Sequence, residues 1–254
     1  MPRHKPGWVG FSIVAAAAGL LLSGCTTARS TLMPPNMLTS PYDTVQGDVL
    51  WAVLPPANES GTSLVDPLRV GDALVAAVTE IQGVSALPVN RSLQAMRGLE
   101  IDRITSPEQV RRLAEALGAD GVLVASITAW DPYDPPVIGL TLALYARSGS
   151  MKASGAAELD PKALASAASD AGFLARSSFG TAPVAVAMEH LDARNHQVQM
   201  YVQQYARGRS EAGSALNWRI YFASMDLYTK FAAYHCVRKI LESEWMRTAR
   251  ASAQ

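Results

Sequence analysis

His190, Asp192 and His196 stand close together in "HLDARNH", a spacing with the raw material of a metal site. They straddle the end of an expected strand and the start of an expected helix, so surface and capping roles account for them. Glu189–His190 beside His235–Cys236 offers the parts of a cysteine–histidine pair, in which a base activates a thiolate. Cys236 falls inside an apolar helical pattern, where a thiol serves as a small buried hydrophobe. No Gly-x-Ser-x-Gly elbow, Walker loop, Gly-x-Gly-x-x-Gly, His-Glu-x-x-His or Cys-x-x-Cys occurs. The expectation is therefore a chain with no catalytic residues, no metal ligands and no cofactor: not an enzyme. Lys plus Arg and Asp plus Glu number 22 each, so no basic excess points to nucleic acid.

The second cysteine, Cys25, has a different setting. Arg3 and Lys5 precede the uncharged run "WVGFSIVAAAAGLLL", Trp8 to Leu22. As a helix that run spans about 22 Å, against about 30 Å for a hydrocarbon core. A basic start, a short apolar run and small residues after it describe a secretory signal peptide, the alternative being a short transmembrane anchor. Leu22, Ser23, Gly24 and Cys25 resemble the bacterial lipobox, which implies cleavage before Cys25 and acylation, with palmitate-type chains, on its thiol and new amine. Thr26, a residue other than Asp, implies by the same resemblance sorting to the outer membrane, with the domain facing the periplasm. Loss of Arg3 and Lys5 leaves a small acidic excess, and Cys236 then has no intramolecular thiol to pair with.

The feature that points to recognition is "WDPYDPPVIGL". Its prolines reduce the backbone entropy lost on ordering. Tyr133 stands between Asp131 and Asp134, ahead of Pro135 and Pro136. An aromatic with acidic flanks on a stiff loop suits protein recognition. The plain alternative is a stiff strand connection. Trp51, Trp130, Trp218 and Trp245 read as core or edge anchors, with an aromatic binding platform as their functional alternative.

The elements that would position these residues follow from periodicity and punctuation. Residues 1–24 are the expected signal peptide, and 25–46, rich in Thr, Ser and Pro, the lipidated cysteine with a flexible tether. An α/β domain is expected over 47–194. Val49–Leu54 is apolar on both parities, as in a strand covered on both faces. Asp66 and Pro67 start a helix that Gly83 ends; "VSALPV" is a strand and "NRSLQAMRGL" a helix. Ser106, Pro107 and Gly118 bound the clearest helix. Gly121–Trp130 and Val137–Arg147 form an antiparallel hairpin around the proline loop. An Ala/Ser/Gly-rich insertion occupies 148–182, and "PVAVAMEHLDA" returns to the sheet. In the C-terminal helical region, 195–254, a helix closes at Gly208. A long amphipathic helix, broken near Ala223–Ser224, then packs on the domain through Leu227, Phe231, Tyr234, Val237, Leu241 and Trp245. The fold class is α/β (α+β): a mixed sheet with helices packed on it.

The block "SPEQVRRLAEALGADGVLVASITAWDPYDPPVIGLTLALY", Leu113 to Leu144 above all, resembles one α/β superfold of bacterial envelope lipoproteins. The curli-secretion lipoprotein, the penicillin-binding-protein activator lipoprotein and the amino-terminal domain of the Tol-system β-propeller protein share it. The likeness covers 48–147 and the strand at 183–190; the 148–182 segment and the 195–254 helices depart from it. It implies a non-enzymatic, lipid-anchored binding or assembly protein of the envelope, with the membrane and an envelope protein as partners. The alternative it implies is a subunit of a secretion or export complex. The second amphipathic hairpin that a curli-type pore needs is absent from the sequence.

Overall fold

The computed structural model describes residues 35–45, 47–146, 182–210 and 214–252. Leu22, Ser23, Gly24 and Cys25, and the insertion as far as residue 181, lie outside them. The elements in chain order are β1 (Leu38–Thr39), β2 (Val49–Val53), β3 (Ala57–Asn58) and α1 (Pro67–Thr79), then β4 (Ile81–Gln82), β5 (Val84–Leu87), α2 (Val89–Gly98) and α3 (Pro107–Leu117). β6 (Gly121–Asp131), β7 (Val137–Ala146) and β8 (Ala185–Asp192) follow, then α4 (His196–Ala206), a 3₁₀ turn at Asn217–Arg219, α5 (Ile220–Ala223) and α6 (Met225–Ser252).

Local chemistry sets several boundaries. The Asp66 carboxylate accepts from the Leu68 amide at 3.0 Å, with Pro67 opening α1. Ser106 and Gln109 cap each other reciprocally at the start of α3, and Gly118 ends it at φ +63°. Gly83 does not end α1. The helix stops at Thr79, Ile81–Gln82 leaves as β4 to pair in parallel with β1, and Gly83 turns the chain at φ +83° into β5. A Cβ there would lie 2.6 Å from Thr44 Cγ2 and 2.7 Å from Ser40 Oγ.

The main sheet runs β5-β2-β6-β7-β8, with β3 beside β6. β2 is parallel to β5 and β6; the β6–β7–β8 pairs are antiparallel. Pro55–Pro56 interrupts what is otherwise one strand along β6, because proline has no amide proton to donate. Alternation along β2 sends Trp51 and Val53 to one face and Ala52 and Leu54 to the other, all buried. The first face is covered by α1 and α6, the second by Met96 of α2 and Val110, Leu113 and Ala114 of α3. This is the mixed, helix-covered α+β sheet expected from the sequence.

Two further expectations are revised. The first is the extent of the tether. Residues 36–45 belong to the folded unit: Tyr42 is buried, the Tyr234 hydroxyl donates to the Asn36 carbonyl at 3.4 Å, and the Trp245 indole N–H donates to the Thr39 carbonyl at 3.0 Å. The second is the buried face of α6. The helix is capped by Ser224, whose Oγ accepts from the Leu227 amide at 3.4 Å, which explains the break. Every residue from 231 to 237 is then buried, so α6 is a central helix over that stretch rather than a one-sided amphipathic one. Leu227 is only partly buried and Trp245 is half exposed, whereas Tyr228, Ile240 and Glu244 are fully inside.

Glu244 is an ionisable side chain with no solvent exposure. Its carboxylate accepts from the Tyr42 hydroxyl at 3.0 Å and from Arg247 at 2.8 and 2.7 Å. Burial, and Glu244 beside it, hold the Tyr42 phenol protonated by pushing its pKa up. Glu244→Ala removes the carboxylate from Arg247 and orphans a buried hydroxyl, so it is expected to cost about 3 kcal/mol in denaturant unfolding. A loss under about 1 kcal/mol would show that this cluster does not fasten residues 36–45 to α6.

Candidate functional site

The proline loop is built from the strands inward. Between Ile127 and Ala129 the β6–β7 register shifts by one residue, a bulge at Thr128. Gly139 across from it makes room: a Cβ there would lie 2.5 Å from Thr128 Oγ1 and 2.8 Å from the Ala129 nitrogen. The bulge adds twist and re-aims the strand end, so Trp130 packs at the margin of the core under α1 and α6. The chain then leaves β6 at Asp131 and re-enters the sheet at Val137.

Two hydrogen bonds hold the loop. Asp131 Oδ1 accepts from the Tyr133 amide at 3.1 Å, closing a local turn. The Asp134–Pro135 peptide is cis. The Pro136 carbonyl accepts from the Ala193 amide at 3.0 Å, tying the loop to the end of β8. Beside it, Arg194 grips Asp192 through both carboxylate oxygens, at 2.8 to 3.1 Å, and these hydrogen bonds hold the Asp192 carboxyl below the usual range. Tyr133 projects from this frame with 72% of its surface exposed, flanked by exposed Asp131, Asp134 and Pro135, while Pro136 is buried. The structure thus brings four of the five expected loop residues to one accessible tip and turns the fifth into its footing.

A groove of about 470 Å³ opens beside the loop, between the starts of α1 and α6. Trp130 and Pro132 form one wall, with Ala73 and Met225 opposite and Asp72 and Lys230 at its rim. Arg69 and Asp226, both largely exposed, meet across it at 3.3 Å. The arrangement offers a ring and a proline edge for apolar contact, ringed by charges of both signs. Sequence reasoning found the tip but missed the groove, because its walls come from segments far apart in the chain; the adjacency of Trp130 to Pro132 was the available signal.

The catalytic alternatives dissolve in the geometry. His190 and His196 are exposed and Asp192 is engaged by Arg194; among the described residues no group of three His, Cys, Asp or Glu side chains could hold a metal ion. Alternation along β8 puts Glu189, not His190, beside α6, with its carboxylate 3.5 Å from His235 Nε2. His235 is almost fully buried, and desolvation takes its pKa down to about 4, so the ring is neutral at physiological pH. Burial pushes the Cys236 thiol up, away from the thiolate a nucleophile needs. Trp51 is a core anchor, as expected. Trp218 stacks edge-on against Phe222, their centroids 5.6 Å apart.

No family model matches the chain, and no curated protein matches it. Among solved structures it is similar to the LpoB C-terminal domain from Escherichia coli, at 18% identity over 40% of this chain and 76% of that one, TM-score 0.31. Lipoprotein GNA1162 from Neisseria meningitidis matches at 17% identity over 39% of this chain and 69% of that one, TM-score 0.32. The PelC dodecamer from Paraburkholderia phytofirmans matches at 19% identity over 42% of this chain and 65% of that one, TM-score 0.26. At these scores no argument about activity rests on the likeness.

Proposed function

We propose that the chain is a lipid-anchored, non-enzymatic binding protein of the bacterial cell envelope, which engages an envelope protein through the tip at residues 131–136. The observation that carries this reading is Tyr133: a large ring held out into solvent on a loop pinned at both ends. A preorganised aromatic loses little entropy on binding, and aromatic side chains dominate interface energetics. The groove under Trp130 and Pro132 supports the reading by giving the partner a second foothold. Leu22, Ser23, Gly24 and Cys25 supply the anchor in this account, acylated at Cys25 and held in the outer membrane with the domain in the periplasm.

The test is proximity chemistry in living cells. A photoreactive side chain placed at position 133 should cross-link to a discrete envelope protein. If no adduct forms while the chain is present in the envelope fraction, the tip is not the recognition site.

A further inference from the structure

β8 pairs with β7 on one side, and no described strand pairs with it on the other. Exposed strand edges are normally guarded by proline, lysine, a bulge or shortness, since their unpaired amides and carbonyls template association. The opposite edge, β5, is guarded by shortness, at 4 residues. β8 has none of these devices: it runs 8 residues as "AVAMEHLD" in unbroken register with β7. Its one guard is an inward-pointing charge, Glu189, on the helix-covered face beside His235.

The outward groups can be assigned. The Ala193 amide donates to the Pro136 carbonyl at 3.0 Å, so in the alternating antiparallel ladder the odd-numbered residues of β8 exchange bonds with β7. The backbone groups of Val186, Met188 and His190 therefore point outward. The side chains of the same residues lie on the uncovered face of the sheet, Val186 at 42% and Met188 at 73% exposure.

We infer that this edge pairs with a second copy of itself, antiparallel and symmetric about Met188, to give a continuous sheet across a twofold dimer. In that register Val186, Met188 and His190 meet His190, Met188 and Val186 of the second copy as hydrogen-bonded pairs, which matches the outward groups. Two exposed methionines then cover each other on the axis. Glu189 falls opposite Ala187 of the second copy, so no like charges face; a slip to an axis on Glu189 would oppose two carboxylates. Apolar cover and the separation of like charges thus coincide in one register.

Sedimentation of the purified full chain in mild detergent should show a concentration-dependent dimer. Met188→Lys, at an exposed position that leaves the fold alone, should abolish it without moving the unfolding midpoint. In a Cys25→Ser background, Met188→Cys should form a disulfide-linked dimer under mild oxidation, because facing Cα atoms of a hydrogen-bonded pair lie about 5.5 Å apart, within disulfide reach. A single monomeric species at every concentration, or a dimer that survives Met188→Lys, overturns the inference; an extended segment of another protein on this edge would give the first of these results.

Discussion

Cys25→Ser is expected to abolish lipid labelling of the chain altogether. Each buried methylene of an acyl chain contributes about 0.8 kcal/mol, and one chain alone holds only marginally, so a stable anchor takes several chains. Serine has no thiol for the thioether, and all of that is lost together. Among the described residues no helix is long and apolar enough to cross a membrane. Lipid label retained after the change would overturn acylation at Cys25.

Tyr133→Ala is expected to weaken partner binding by about 30-fold or more, corresponding to about 2 kcal/mol for an aromatic hot spot. At 72% exposure the ring lies largely in solvent, so the unfolding midpoint should stay within the range of a neutral surface change. That separates it from changes at Trp130, which sits in the core margin and would disturb both binding and fold. Tyr133→Phe should retain most of the affinity if the ring face is what the partner covers. Unchanged binding by the alanine variant would leave the loop as a stiff strand connection only.

What could be read from the sequence was what local chemistry decides. Asp66–Pro67 and Ser106–Pro107 name helix starts because caps are satisfied within a few residues. The doubly apolar Val49–Leu54 named a strand with both faces covered, and the prolines between two apolar runs named the hairpin. Contacts that close over long separations were not legible. Residues 36–45 read as tether because Ser, Thr and Pro dominate them, yet Asn36, Thr39 and Tyr42 are held by Tyr234, Trp245 and Glu244, about two hundred residues on. Glu244 lies outside the stripe that the sequence offers for α6, and only the arrival of Tyr42 and Arg247 makes its burial tolerable. The site divides the same way. The Tyr133 tip is a property of one loop, whereas the groove needs α1, α6 and β6 brought together.

The most direct measurement places the photoreactive side chain at position 133 and, in parallel, at exposed Met200 on α4, in cells carrying the full chain. The account predicts one discrete envelope-protein adduct from position 133 and none from position 200. The same adduct from both positions, or none from position 133, would contradict it.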